Sequence, residues 1–236
     1  MKSKRKALIW AGASFGGAWM ADAPHDCASS WNHNGLLLSL FGSCNPKVDE
    51  EKIMKLSVFC GVSVDGFLAR PNGAFDFLDA GGREPHGFDE FYSSVDVVVI
   101  GRKTFEVVLT FGKWFYGTKP VVVLSSDPLD FSSIHDGVVE QMSGEPANIV
   151  MRLKARGFQH AYIDGGITIQ RFLAARLIDR LVITRVPVLI GVGIPLFGPL
   201  LHDISLRHIA TRTYEGGLVQ TEYEISAEGP QPSGPS

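Results

Sequence analysis

Three short stretches of this chain combine glycine, hydroxyl and basic side chains at points where buried strands should end. Gly101-Arg102-Lys103-Thr104 follows the apolar run Val97-Val98-Val99-Ile100. Ser125-Ser126 follows Val121-Val122-Val123-Leu124. Asp164-Gly165-Gly166, with Ile167 and Thr168 next, follows Ala161-Tyr162-Ile163. In open α/β sheets, ligands lie outside the carboxyl ends of the strands. Gly101 permits a sharp turn and close approach by a ligand. Arg102 and Lys103 open a helix, where their charge and the helix amino end both favour an anion. Arginine is also suited to bidentate phosphate contact, and Thr104 adds a hydroxyl. Ser125 and Ser126 can bond a phosphate or a ribose, and two successive glycines let backbone amides face a pyrophosphate. The set predicts a groove for a phosphorylated ligand, which points to a nucleotide cofactor and an enzyme. Each stretch alone also has a plainer reading: a basic surface turn, an ordinary Ser-Ser-Asp-Pro turn, or a tight strand-to-helix turn. None is the G-x-G-x-x-G fingerprint, so the order and spacing of all three carry the argument.

The elements that must position these turns can be read from periodicity. Leu56 to Val64 reads as a first strand, turned by Asp65-Gly66 and resumed at Phe67-Leu68-Ala69; Arg70-Pro71-Asn72-Gly73 is a strong turn signal. Phe75 to Asp79 predicts a helical turn. Phe88 to Ser94 predicts a short helix with Phe88, Phe91 and Tyr92 on one face. Asp96–Ile100 and Lys119–Leu124 are continuous apolar strands of the kind buried on both faces. Helices are predicted over 104–109, 146–156 and 167–175, with Pro146 at a first-turn position and Gly157 at a helix end. Val138-Val139 is a weak strand and His160–Ile163 a further one. Asp179–Ile190 reads as a long strand whose Pro187 implies an edge, a bulge or a bend. Leu206–Tyr214 and Leu218–Ile225 form a hairpin about Glu215-Gly216-Gly217. Alternation of strand and helix means parallel crossovers. The expected fold class is α/β: one mixed, mostly parallel twisted sheet with helices on both faces and a C-terminal antiparallel hairpin.

Composition narrows the partners. The chain of 236 residues has a net charge of −3 and a hydrophobic fraction of 45%, which excludes a disordered polymer and gives no broad basic footprint for nucleic acid. Its three cysteines, Cys27, Cys44 and Cys60, include no Cys-x-x-Cys pair, so neither a disulfide framework nor a zinc ribbon is expected, and no metal. No stretch reaches the roughly 18 unbroken apolar residues of a membrane helix. Residues 1–53 do not read like the rest. Lys2 to Lys6, the stretch Ala7–Met20 and Ala21-Asp22-Ala23 have the layout of a secretory signal, yet too many small residues interrupt it. The favoured expectation is an extension, disordered or non-native, ahead of a folded domain over 54–226, with a disordered tail over 227–236. A cytoplasmic location is expected.

Taken in order, these stretches resemble the dihydrofolate reductase-like superfamily, closest to the reductase domain of riboflavin biosynthesis. The resemblance rests on Ser63-Val64-Asp65-Gly66-Phe67-Leu68-Ala69, Gly101-Arg102-Lys103-Thr104-Phe105-Glu106, Gly165-Gly166, Leu177-Ile178-Asp179-Arg180-Leu181, Val186–Gly191 and Gly193–Phe197. It implies NADPH as cofactor and hydride transfer to a small heterocycle. By resemblance, Gly101 to Thr104 would hold the cofactor's phosphates. Ser125 and Ser126 would sit by the adenosine ribose and its 2′-phosphate. Gly165, Gly166, Ile167 and Thr168 would line the pyrophosphate. Asp65 falls in a loop bordering the nicotinamide, where it is either a turn former or a proton donor. Asp89, in the helix that would face a substrate, is a second candidate donor, and His86 a third unless it is an exposed loop residue. Trp114 and Phe115 would flank a flat ring or fill the core. The chain departs from the riboflavin enzymes where Leu109–Trp114 replaces their Asp-Asp-Pro motif, so the cofactor transfers better than the substrate. A dihydrofolate or pteridine reductase, a non-catalytic NADPH-binding protein, and a dimeric scaffold using Asp179–Ile190 as a sheet edge remain alternatives. A homodimer is expected.

Overall fold

The computed structural model describes residues 54–81 and 86–226. The expectations for residues 1–53 and 227–236, Cys27 and Cys44 among them, lie outside the described residues. Strand β1 (Lys55–Ser63) turns at Asp65-Gly66 into β2 (Phe67–Ala69). A 3-10 turn (Asp76–Gly81) and helix α1 (Phe88–Ser93) precede β3 (Val97–Gly101), which runs directly into α2 (Arg102–Leu109). Next come β4 (Val121–Leu124), β5 (Val139–Met142), α3 (Pro146–Ala155), β6 (His160–Asp164) and α4 (Gly166–Ala174). The last of the described elements are β7 (Arg180–Val186), the short β8 (Ile194–Pro195), β9 (Leu206–Tyr214) and β10 (Leu218–Ile225).

Eight strands form one sheet in the order β5-β4-β3-β6-β1-β7-β10-β9; β2 and β8 form a separate antiparallel pair. All pairings from β5 to β7 are parallel, while β10 runs antiparallel to both β7 and β9. Parallel strands need crossover helices, and these cover both faces. Alternation along each strand divides the core in two. Val97 and Val99 of β3, Ala161 and Ile163 of β6, and Leu181 and Ile183 of β7 pack with Ile149 and Leu153 of α3 and Ile169 and Phe172 of α4. Val98 and Ile100, Tyr162 and Val182 face the other way, against Phe88 and Phe91 of α1 and Phe105 and Val108 of α2. The continuous Val97–Ile100 run is fully buried because both of its faces meet a helix layer.

Two expectations are corrected. Asp179–Ile190 is not one long edge strand. It stops at Val186, and Val188 donates back to the Val186 carbonyl at 2.7 Å, so the chain bends at Pro187. Because β7 lies between β1 and β10, both of its backbone edges are paired; the sheet's edges are β5 and β9. The proposed interface on Asp179–Ile190 therefore has no free strand to offer. His86 is not an exposed loop residue either. It is 5% exposed, with its ring edge-on to Tyr214 at 4.4 Å and its carbonyl accepting from the Gln220 amide.

Candidate functional site

Strands β3 and β6 are neighbours, with Ile100 opposite Asp164, and each turns into a helix at its carboxyl end. Gly101 is the N-cap of α2 and Gly165 that of α4, and neither helix has a side-chain cap. The first-turn N–H groups of a helix lack intrahelical partners and carry its positive dipole end. Two such ends therefore stand side by side at the carboxyl ends of two neighbouring strands, with no capping side chain to occupy them. The fit is reciprocal. A Cβ on Gly101 would stand 2.8 Å from Thr168 Oγ1, and one on Gly165 would stand 2.5 Å from Thr104 Oγ1. Each threonine is the third residue of the opposing helix. Gly165 also has φ +94, which L side chains rarely adopt.

A cleft of about 860 Å³ opens over this cradle and is lined by Gly101, Arg102, Lys103, Thr104, Gly165, Gly166, Ile167 and Thr168. A second cavity of about 400 Å³ is lined by Ser125, Ser126 and Asp127. Arg102, Leu124 and Arg171 line both, so the two meet there. The structure thus brings the three sequence stretches together. The positive charge is partly neutralised. Arg102 donates to Asp127 at 2.9 Å and lies 3.6 Å from Glu106; Arg171 lies 3.8 Å from Glu145. The Ser125 hydroxyl shapes its own turn, donating to the Asp127 carbonyl and accepting from the Asp127 amide. Gln141 braces that turn through the Ser125 and Asp127 carbonyls.

The candidate proton donors do not meet in the cleft. Asp65 lines neither cavity. Its carboxylate accepts from the amides of Ile190 at 3.1 Å and Gly191 at 2.7 Å, tying the loop after β7 to the first turn. The Ser63 hydroxyl, and then those amides, hold it below the usual carboxylate range, so it is an ionised clamp and a poor proton donor. Asp89 is exposed on α1 and lines neither cavity, and the buried His86 is likewise absent from both linings. Trp114 packs on Phe105 and Tyr116, and Phe115 on Phe111.

Asp164, by contrast, is a carboxylate that does border the cleft. It lines the larger cleft at the end of β6, and its Oδ1 accepts from the Gly165 amide at 2.8 Å. Burial pushes its carboxyl up to about 6, offset in part by that amide and by the Tyr162 phenol. The buried Tyr116 phenol, also in the lining, is held well above its usual value by burial and then by Asp164. Asp164 directly follows the third of the predicted strands, a signal present in the sequence. Arg171 lies four residues beyond Ile167, on the same helix face. Phe75, Leu78 and Phe111, which also line the cleft, carried no such signal, because only the tertiary fold brings them to it.

The RibD C-terminal domain family model matches residues 54–220. The chain is 33% identical over 172 residues to the uncharacterized protein YwjB of Bacillus subtilis (strain 168), covering 72% of this chain and 97% of that one. Its fold is similar to the crystal structure of the "Putative riboflavin biosynthesis protein" of Shewanella sp. PV-4, at 38% identity and a TM-score of 0.69, over 73% of this chain and 99% of that one. It is also similar in fold to the Enterococcus faecalis dihydrofolate reductase complexed with NADP(H), at 16% identity and a TM-score of 0.50, over 73% and 96% of the two chains. The double glycine-capped cradle over a mostly parallel sheet is thus set in a known family: the chain belongs to the RibD C-terminal domain family.

Proposed function

We propose that the cleft binds NADPH and that the chain is a reductase of the riboflavin-pathway pyrimidine reductase class, acting on a C=N or C=O bond of a small planar heterocycle. The observation that carries this reading is the pair of uncapped helix amino ends facing each other at Gly101 and Gly165. Glycine at both caps leaves backbone amides to meet a pyrophosphate, and a Cβ at either would close the cradle. The family membership supports it, as does the NADP(H) held by the dihydrofolate reductase of similar fold.

In this reading, the first-turn amides of Arg102–Thr104 and Gly166–Thr168 hold the pyrophosphate. Arg102, Arg171, Ser125 and Ser126 surround the adenosine end and its 2′-phosphate. The cofactor supplies the hydride. Asp164 holds the accompanying proton, since a carboxyl raised toward neutrality is still partly protonated at working pH. The Tyr116 hydroxyl keeps its own proton and serves as a fixed hydrogen-bond donor. The ionised Asp65 keeps the loop through Ile190 and Gly191 in place.

Calorimetric titration of the full chain with NADPH tests the binding, and loss of dihydronicotinamide absorbance with a pyrimidine and pteridine panel tests turnover. Absence of NADPH binding would refute the assignment. Binding without turnover of any ring would leave a non-catalytic NADPH-binding protein.

A further inference from the structure

The smaller cavity beside the cradle carries its charges in pairs. Among the described residues, its lining holds two cations, Arg102 and Arg171, and two carboxylates, Asp127 and Glu145. The pairs are unequal. Arg102 Nη1 donates to Asp127 Oδ2 at 2.9 Å, within hydrogen-bond distance. Arg171 Nη2 stands 3.8 Å from Glu145 and donates instead to the Gly144 carbonyl at 3.1 Å. Asp127 is also carried on a braced turn. The Ser125 hydroxyl accepts from its amide and donates to its carbonyl, and the Gln141 side chain of β5 donates to that same carbonyl. The backbone thus holds this carboxylate at the Arg102 guanidinium, which distinguishes the pair from two loose surface side chains.

Arg102 lines both cavities, so its guanidinium is in reach of a phosphate seated beside the cradle. Its Nη1 is already taken. A phosphate oxygen accepting from that same nitrogen would stand at most about 6 Å from the Asp127 carboxylate oxygen, where like charges repel. Taking the nitrogen outright would strip Asp127 of its counter-ion. A ribose 2′-hydroxyl meets neither cost, because it is uncharged and can donate to a carboxylate. NADPH and NADH differ by this phosphate alone. We propose that Asp127 is a specificity-determining residue of the adenosine pocket: as the counter-ion of Arg102 it opposes the 2′-phosphate and limits how far the chain prefers NADPH to NADH. The proposal rests on the NADPH reading of the same cleft.

The test is calorimetric titration of the full chain, and of its Asp127→Asn variant, with NADPH and with NADH at one ionic strength. The substitution removes the charge, keeps the side chain's shape and leaves the braced backbone in place. It should tighten NADPH by roughly fivefold, about the worth of one exposed ion pair, and leave NADH unchanged or weaker. A ratio of the two affinities no higher than that of the unaltered chain overturns the proposal. Glu145→Gln is the control, since it removes the same charge from the same lining without breaking the Arg102 pair. It should raise the ratio less than Asp127→Asn does. An equal or larger rise marks a general charge effect and overturns the role of Asp127 as well. Failure of the unaltered chain to take up NADPH removes the underlying reading of the cleft instead, so the two failures are distinguishable.

Discussion

The reciprocal packing of Gly101 on Thr168 and Gly165 on Thr104 makes a quantitative double-mutant prediction. Gly101 has φ −83 and ψ 162, which alanine adopts without strain. The effect of Gly101→Ala on the folded state therefore comes from the new Cβ standing 2.8 Å from Thr168 Oγ1. Overpacking of this kind costs about 1–3 kcal/mol, less about 0.4–1 kcal/mol gained by restricting the unfolded chain. In a domain of this size each kcal/mol moves Tm by about 2–4 °C. Thr168→Ala removes the obstructing atom, so Gly101→Ala/Thr168→Ala should be more stable than the sum of the single effects by about 1–2 kcal/mol. The second pair behaves differently. Gly165 sits at φ +94 and ψ 134, so Gly165→Ala carries a backbone cost of about 1–3 kcal/mol that no partner change relieves. Adding Thr104→Ala should return only the steric share. Thermal and urea unfolding followed by circular dichroism, with NADPH titration of each variant, read both cycles. If Gly101→Ala/Thr168→Ala is destabilised by the full sum of its parts, the two helix ends are not interlocked as described and the pyrophosphate cradle loses its basis.

Other expectations concern single groups. Arg102→Ala should weaken NADPH more than NADH, by about tenfold for one lost charge-assisted phosphate contact; equal loss for both, by titration, would remove the 2′-phosphate assignment. Because the Asp164 carboxyl sits near 6 in the fold but near 4 in the unfolded chain, the native state holds a proton across that window that the unfolded state has released. Stability should therefore fall as pH rises from about 4 to about 6, by up to about 3 kcal/mol. Asp164→Asn should abolish that fall, raise Tm at neutral pH, and lower kcat together with the alkaline limb of its pH profile. Asp65→Ala should loosen the loop at Ile190 and Gly191 and lower Tm modestly. It should leave the shape of the kcat–pH profile unchanged; a lost ionisation there would restore Asp65 as a proton donor.

Much of the framework was legible because it is local. Uninterrupted Val97–Ile100 and Val121–Leu124 are buried strands wherever both faces are covered, and Gly165 with Gly166 marks a turn that only glycine makes easily. The errors have causes that are not local. Pro187 was rightly read as an interruption, but its neighbourhood in the sheet depends on where β10 lands, 32 residues after β7 ends. His86 looked like a loop residue because its burial comes from Tyr214 and Gln220, far along the chain. Asp65 read as either a turn former or a proton donor, and its contacts with the Ile190 and Gly191 amides could not be read locally, because they depend on the loop after β7.

The sequence by itself determined the strand-to-helix turns, the glycines at two helix caps and the basic residues that follow the first, since each depends on neighbours a few positions away. Tertiary structure alone decided that β3 and β6 lie side by side. That adjacency sets the two helix ends against each other, buries the carboxyl of Asp164 beside them, and gathers Phe75, Leu78 and Phe111 into one wall. Desolvation and shape are properties of what surrounds a group in space, and no stretch of chain carries that information until the sheet has ordered its strands.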